Sequence, residues 1–444
     1  MLRHAASPPG AISNQTADLV RAIRRSNGMH RIVLAAGLVA LTGALLAPIG
    51  LLGAAQGEAR RGESGSPALY GVTWQGSLTL ARVDRATLRP LPGRRVPLSG
   101  EPLGWSFSPD RSRLAVGSTA RGARLRLVDL RAMQTLGEVR IARRGSGVAT
   151  TWAGPTRVLA VVVTPGCCGA GDTSVIGVDS VSQSVLWRRT LGGSLQAGER
   201  SGDGLVLVLG PRGRAIGPSR LVHVGGDGEI RSASLPEIRS GTESRGSVTH
   251  SWNPGLAVDR TGGRAFVVQA RAPLAEVDLR SFVVRSHPLG AQPRAADALA
   301  GPMREALWLG HGTLAVTGSD SGPSRQTAAG LTLIDTRRWS ARTINRRTSD
   351  AVLVAGRLLA SSFLFDARGQ PTAGSGLTGY SLDGTRRFHR YGSQPITGVQ
   401  PLGRRALVGA QAAISLIDAR SGRPLQRFRR FAMSLLDGDA PVGY

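Results

Sequence analysis

From residue 67 onward the chain alternates short apolar runs with clusters of Gly, Pro, Asp and Ser. The runs are four to eight residues long, and no 3.6-residue periodicity extends across them. Runs of that length between turn formers predict β-strands and an all-β domain. The preceding residues read differently. Ile32 to Ala55 is a stretch of 24 residues without a charge, long enough to cross a hydrocarbon core of about 30 Å as a helix. Residues 56–66, QGEARRGESGS, are a small-residue polar linker. The predicted organisation is a basic N-terminal tail over 1–31, a transmembrane helix over 32–55, the linker over 56–66 and the β domain over 67–444.

The β domain repeats. A branched aliphatic residue followed by Asp ends one strand at Asp84, Asp129, Asp179, Asp278, Asp335 and Asp418. Leu382-Asp383 is a weaker copy, and LVHVGGDG at 221–228 replaces the Asp with a glycine turn. Ahead of each such strand lies a more apolar run, among them RLAVGS at 113–118, RVLAVVV at 157–163, GLVLVLG at 204–210 and RALVGAQ at 405–411. Trp105, Trp152, Trp252 and Trp308 recur just before that run. The Asp-type positions are mostly 45 to 57 residues apart. That period suits a four-stranded sheet that needs neighbours to cover both its faces, as in a β-propeller. Eight units are counted, seven remaining open if a terminal unit is incomplete. The first unit has no innermost strand before Leu69. FAMSLLD at 431–437 is apolar enough to supply it and so to join the two ends of the ring.

SFSPDRSRLAVGS at 106–118 resembles the repeat of WD40-like propellers. VIGVDSVSQSVLWRRTLGG at 175–193 resembles that of quinoprotein-like propellers, and ISLIDARSGRPLQRF at 414–428 resembles both. The likeness spans most of residues 69–430 and implies the fold; it carries no function. Only Trp187 matches the quinoprotein-style Trp.

Arg3, Arg21, Arg24, Arg25 and Arg31 precede the apolar run against a single acid, Asp18. That bias puts the N-terminus in the cytoplasm and the β domain outside, in a single-pass cell-membrane protein. The alternative is a signal peptide cleaved near Gly53-Ala54-Ala55, giving a secreted protein. Residues 14–25 fit a short basic amphipathic helix or a solvated tail.

The net charge is +27, from 56 basic and 29 acidic residues, and every basic residue is Arg. A Schiff-base or P-loop lysine is thereby excluded. The arginines are scattered singly and in pairs, which fits a habit of using Arg for Lys better than a defined nucleic-acid footprint. Aromatic residues are 4%, too few for base-stacking platforms. The expected partners are the membrane, through residues 32–55, and an unidentified protein or an anionic cell-surface polymer. Nucleic acid is not expected, and the propeller is expected to be monomeric.

Cys167 and Cys168 are adjacent in TPGCCGAGD. Outside the cytoplasm they can close a strained vicinal disulfide or stay a thiol pair. The quinoprotein resemblance implies a redox or ligand-contacting role for such a ring. The seven histidines show no metal-ligand spacing; His250 and His311 fall near predicted inner strands and are candidates for the axis. GSGLTG at 374–379 precedes a strand, not a helix, and reads as a loop. No residue is assigned a catalytic, cofactor-binding or metal role, and no cofactor is expected. The repeated Asp is expected to cap its own turn. The leading expectation is a non-enzymatic binding or scaffold module; the alternative is a lactonase-like hydrolase or quinoprotein-like oxidoreductase.

Overall fold

The computed structural model describes residues 68–444, apart from 76, 101, 120–121, 165–170, 213–214, 246–247, 290–300, 323–324, 367, 373, 411–412, 429–432, 441 and 443–444. The predicted tail, membrane segment and linker, and Cys167 and Cys168, lie outside the described residues.

Among the described residues, thirty-four strands, numbered β1 to β34 along the chain, form eight antiparallel sheets. Each sheet is a blade whose strands run from the axis outward in chain order. The inner strands are β4 (Gly104–Phe107), β8 (Gly147–Trp152), β12 (Leu195–Ser201), β17 (Gly255–Asp259), β21 (Pro302–Gly310), β26 (Asp350–Val354) and β30 (Ile396–Leu402) for blades 2 to 8. Blade 1 is assembled from both chain ends. Its inner strand is β34 (Met433–Leu436), paired antiparallel with β1 (Leu69–Gln75), so that Tyr70 faces Leu436 and Thr73 faces Met433. The C-terminal run at 431–437 thus supplies the missing strand, and the ring has eight blades.

The apolar runs read from the sequence are the second strands. RLAVGS is β5 (Arg113–Ser118), RVLAVVV falls in β9 (Arg157–Thr164), and GLVLVLG in β13 (Gly204–Leu209). They are apolar at consecutive positions because both faces are covered. Leu205, Leu207 and Leu209 pack toward blade 3, whereas Val206 and Val208 pack toward blade 5. Eight hydrophobic clusters result, one at each seam between neighbouring blades, including the seam between blades 8 and 1. Their completeness is what makes the sheets a closed ring, since no blade has a second face left for solvent.

Arginine spans the same seams. Arg82 donates to Leu130 O, Arg189 to Gly228 O, Arg260 to Arg200 O, Arg342 to Asp383 O, Arg390 to Gly422 O and Arg405 to Arg85 O, at 2.6 to 3.2 Å. Arg188 donates to Ile141 O of blade 2. At the blade 5–6 seam Arg264 instead lies 5.8 Å from the Trp308 ring centroid. A planar guanidinium can reach across a seam and still leave donors for solvent.

Candidate functional site

The parallel inner strands give the ring two different ends. Their C-terminal ends meet the turns between first and second strands, and the Asp-bearing turns between third and fourth strands lie on the same side. At that turn end the Asp84 carboxylate accepts from the N–H groups of Ala86 and Thr87 at 3.1 and 2.7 Å. The same pattern holds Asp129 to Arg131 and Ala132, Asp179 to Val181 and Ser182, Asp278 to Arg280 and Ser281, and Asp335 to Arg337 and Arg338. Asp418 accepts from the N–H and hydroxyl of Ser421. These donors hold the carboxyls of Asp84, Asp179, Asp278, Asp335 and Asp418 below the ordinary range; the main cause is the N–H of Thr87, Ser182, Ser281 or Arg337, and for Asp418 the Ser421 hydroxyl. In blade 7 the third strand ends at Tyr380, and Asp383 sits further into the turn, bonded to Thr385 N–H and the Ser381 hydroxyl.

The fourth residue after the Asp carries a signal that sequence reasoning missed. Leu88, Met133, Gln183, Phe282, Trp339 and Gly422 all have positive φ, between 50° and 69°. In five of the six turns the side chain there reaches back to the preceding blade. Leu88 joins the blade 8–1 cluster and Met133 the blade 1–2 cluster. Gln183 donates to Leu136 O at 2.8 Å, while Phe282 and Trp339 pack on the blade 4–5 and 5–6 clusters. At Gly422 the geometry is inverted: a Cβ would sit 2.4 Å from the Phe388 ring of blade 7, which fills the space itself. The Asp therefore holds a left-handed turn that latches one blade to the last. Such a backbone conformation is uphill for a non-glycine residue, and the contact with the preceding blade offsets the strain, through burial of Leu88 and Met133 and partial burial of Phe282 and Trp339.

The recurring tryptophans do not form one set. Trp152 and Trp308 occupy equivalent inner-strand positions, opposite Val158 and Leu314. Trp152 is fully buried and its Nε1–H donates to Ser106 O at 2.9 Å; Trp308 stacks on Phe266 with centroids 5.2 Å apart. In blade 2 the equivalent position is Phe107, opposite Leu114, and Trp105 lies two residues earlier on the same strand. Trp252 lies on β16 (Val248–Trp252), an additional fifth strand on the sheet of blade 4. His311 is exposed in the turn after β21 and does not line the axis; the His250 side chain lies outside the described residues.

The chain's own C-terminus lies across the turn end. Arg85 pairs with Asp437 at 2.5 Å, and Arg111 donates to Asp437 O. Trp105 Nε1–H donates to Gly438 O, Phe107 N–H to Asp439, and Ala440 N–H to Trp105 O, at 2.7 to 2.9 Å. Val442 is buried in the blade 3–4 cluster. The tail thus runs from blade 1 past blade 2 to blades 3 and 4. Asp439 lies 3.9 Å from Arg200 of blade 4, and burial raises its carboxyl above the usual range. Glu199 beside it is one-third exposed, 3.9 Å from Arg260, yet enclosure raises its pKa to about 7.

The opposite end, where inner strands begin, carries the longer loops. In blade 6, β22 (Thr313–Ser321) pairs with a short extra strand, β23 (Gln326–Ala328). Gln326 N–H donates to Phe365 O, and Arg325 bridges Asp366, so loops of blades 6 and 7 are joined. Near the start of β21, Arg304 and Asp320 form a buried pair at 2.8 Å. The next residue, Glu305, and the first residue of β26, Asp350, interact electrostatically. Burial raises both carboxyls, and the charge of Asp350 raises Glu305 further, so the pair retains a proton near neutrality. Asp350 Oδ1, Asn253 Nδ2 and Thr348 Oγ1 are buried without a hydrogen-bond partner. Buried polar atoms of this kind are the groups a water or ligand would satisfy. Two neighbouring carboxyls with raised pKa values can act in acid–base chemistry or receive a cation. Among the described residues, no three His, Cys, Asp or Glu side chains converge as a metal site.

No protein-family profile matches the chain, and no curated protein matches its sequence. Solved structures do. The dihydro-heme d1 dehydrogenase NirN, determined in complex with DHE, superposes with a TM-score of 0.56 and 15% identity, over 86% of this chain and 77% of that one. BamB from Moraxella catarrhalis matches with a TM-score of 0.43 and 12% identity, over 73% and 87% of the two chains. The Dos1 propeller matches at 0.43 and 14%, over 75% and 85%. At these identities the likeness concerns the fold. The protein is an all-β, eight-bladed β-propeller.

Proposed function

We propose that the protein is a membrane-anchored binding or scaffold module outside the cytoplasm, which presents the loop-bearing end of its ring to a partner protein. The observation that carries this reading is the asymmetry of the two ends. The turn end is crossed by the C-terminal tail from Asp437 to Ala440, and its repeated aspartates are committed to their own turns. Because β1 is a second strand, it starts at this same end, and Leu69 lies there. A tether at residues 32–55 then directs the turn end toward the membrane and the loop end away from it. The joined loops of blades 6 and 7 and the unpartnered polar atoms lie on the outward side.

Position-specific photo-crosslinking in intact cells tests the reading. A crosslinker at Gln370, on the loop end, is expected to give a discrete adduct. One at Thr385, on the turn end, is expected to give none. Adducts from Thr385 alone, or protection of the ring from protease added outside the inner membrane, overturn it. A second reading, a propeller enzyme, is favoured by the Glu305–Asp350 pair. It predicts a small-molecule turnover abolished by Glu305→Gln with the ring intact.

A further inference from the structure

The arginines that are scattered along the sequence collect on one sector of the wall. The outermost strands of blades 6, 7 and 8 are β25 (Ser340–Asn345), β29 (Arg386–Arg390) and β33 (Pro424–Phe428). With the turn leading into β33 they expose Arg342, Arg386, Arg387, Arg390, Arg423 and Arg427, and none of the three strands contains an acidic residue. The three edges are contiguous: Arg342 bonds to Asp383 O of blade 7 at 2.6 Å and Arg390 to Gly422 O of blade 8 at 3.2 Å. Both acceptors are neutral carbonyls, which fix a guanidinium in place without cancelling its charge. The nearest acids, Asp383 and Asp418, are bonded into their own turns and lie within electrostatic reach of Arg387 and Arg423. The outer strand of blade 2 differs: there Glu138 on β7 (Gln134–Ala142) takes up Arg124 and Arg126.

We infer that this sector is a binding surface for a soluble linear polyanion carrying repeated phosphate groups. Guanidinium is the side chain that meets phosphate oxygens two at a time, and guanidiniums already anchored lose little freedom on binding. The wall curves through three blades, which a flexible chain can follow and a flat bilayer cannot. Of the rings on β25, β29 and β33, Phe388 is buried, Phe428 packs half-buried on the blade 8–1 cluster and His389 is tied to the Thr378 hydroxyl at 3.0 Å, which leaves little for base stacking and favours the charge-repeat polymer over a nucleic acid. Edge strands also carry charge merely to block strand pairing, but that role requires no ligand. The inference stands apart from the loop-end reading.

The test uses the full chain in neutral detergent with labelled long-chain inorganic polyphosphate. Arg386→Gln/Arg387→Gln/Arg427→Gln leaves the seam contacts of Arg342 and Arg390 in place and is expected to weaken binding at least tenfold. The slope of log affinity against log salt is expected to fall by about 2, at about 0.7 per lost contact on a single-stranded polyanion. Arg94→Gln/Arg140→Gln/Arg285→Gln removes the same charge from blades 1, 2 and 5 and is expected to stay within about twofold of the parent. Equal weakening by both triples shows diffuse charge attraction and overturns the proposal. So does absence of polyphosphate binding, tighter binding to anionic vesicles, or tighter binding to single-stranded DNA. Unchanged melting temperatures of both triples exclude misfolding as the cause.

Discussion

The two ends of the ring are built from the same repeat and end up with opposite chemistry. At the turn end each repeated Asp binds its own backbone, five of the six latch residues are seated on the preceding blade, and the C-terminal tail donates and accepts across blades 2 to 4. At the loop end the repeat breaks: blade 6 gains a strand, two loops join, and Glu305, Asp350, Thr348 and Asn253 carry raised pKa values or unpartnered atoms. A residue that recurs in most blades serves the blade. A residue that occurs once, in a place that costs stability, is where function is to be sought.

Removing residues 432–444 sharpens this contrast most. It deletes β34 and with it Met433, Leu435 and Leu436 from two seams. The expected outcome is loss of any cooperative melting transition in circular dichroism. Truncation after Asp437 keeps the strand and removes only the crossing tail. It is expected to cost about 2–4 kcal/mol in chemical denaturation, for two or three hydrogen bonds and one buried valine. If both truncations behave alike, the tail and not the closing strand holds the ring.

Next in size is the inner tryptophan. Trp152→Ala opens a cavity at the blade 2–3 seam and is expected to cost about 3–5 kcal/mol. Trp252→Ala, on the extra strand, is expected to cost less than half as much in the same titration.

Smaller effects separate the two kinds of carboxyl by pH. Glu305 has a folded pKa raised above its unfolded value, so its contribution is present at low pH and is lost as pH rises through neutrality. Glu305→Gln is therefore expected to gain about 1–2 kcal/mol over the parent at pH 8.5 and nothing at pH 4. A gain that is the same at both pH values refutes the buried-pair assignment. The turn aspartates have the opposite sign. Their lowered pKa values give stability above the ordinary carboxyl range that is lost as pH falls through the folded value. Asp179→Asn/Asp418→Asn is therefore expected to melt below the parent at pH 7, and the gap is expected to close as pH falls below 4.

Much of the ring was legible in the sequence. GLVLVLG and RVLAVVV announce themselves because a strand buried on both faces must be apolar at every position. FAMSLLD was legible as the closing strand because the first unit lacked one. The latch was not, since Leu88, Met133, Gln183, Phe282 and Trp339 share a backbone angle and no side-chain chemistry, and none is the glycine that a left-handed turn advertises. Trp252 matched the spacing of Trp152 but belongs to a different strand layer, because spacing cannot distinguish an inner strand from an insertion placed before it.

The charge divides the same way. That the chain uses Arg throughout, with a net charge of +27, is a property of the sequence. That Arg342, Arg390 and Arg427 share one wall, or that Glu305 meets Asp350 across a seam, is decided by ring closure. By itself the sequence determined the strands and the period, because these follow from burial patterns within a few residues, while the count of eight was settled by the pairing of β34 with β1. Only the tertiary structure decided which polar groups meet, because closing the ring places side chains of different blades side by side whatever their separation along the chain.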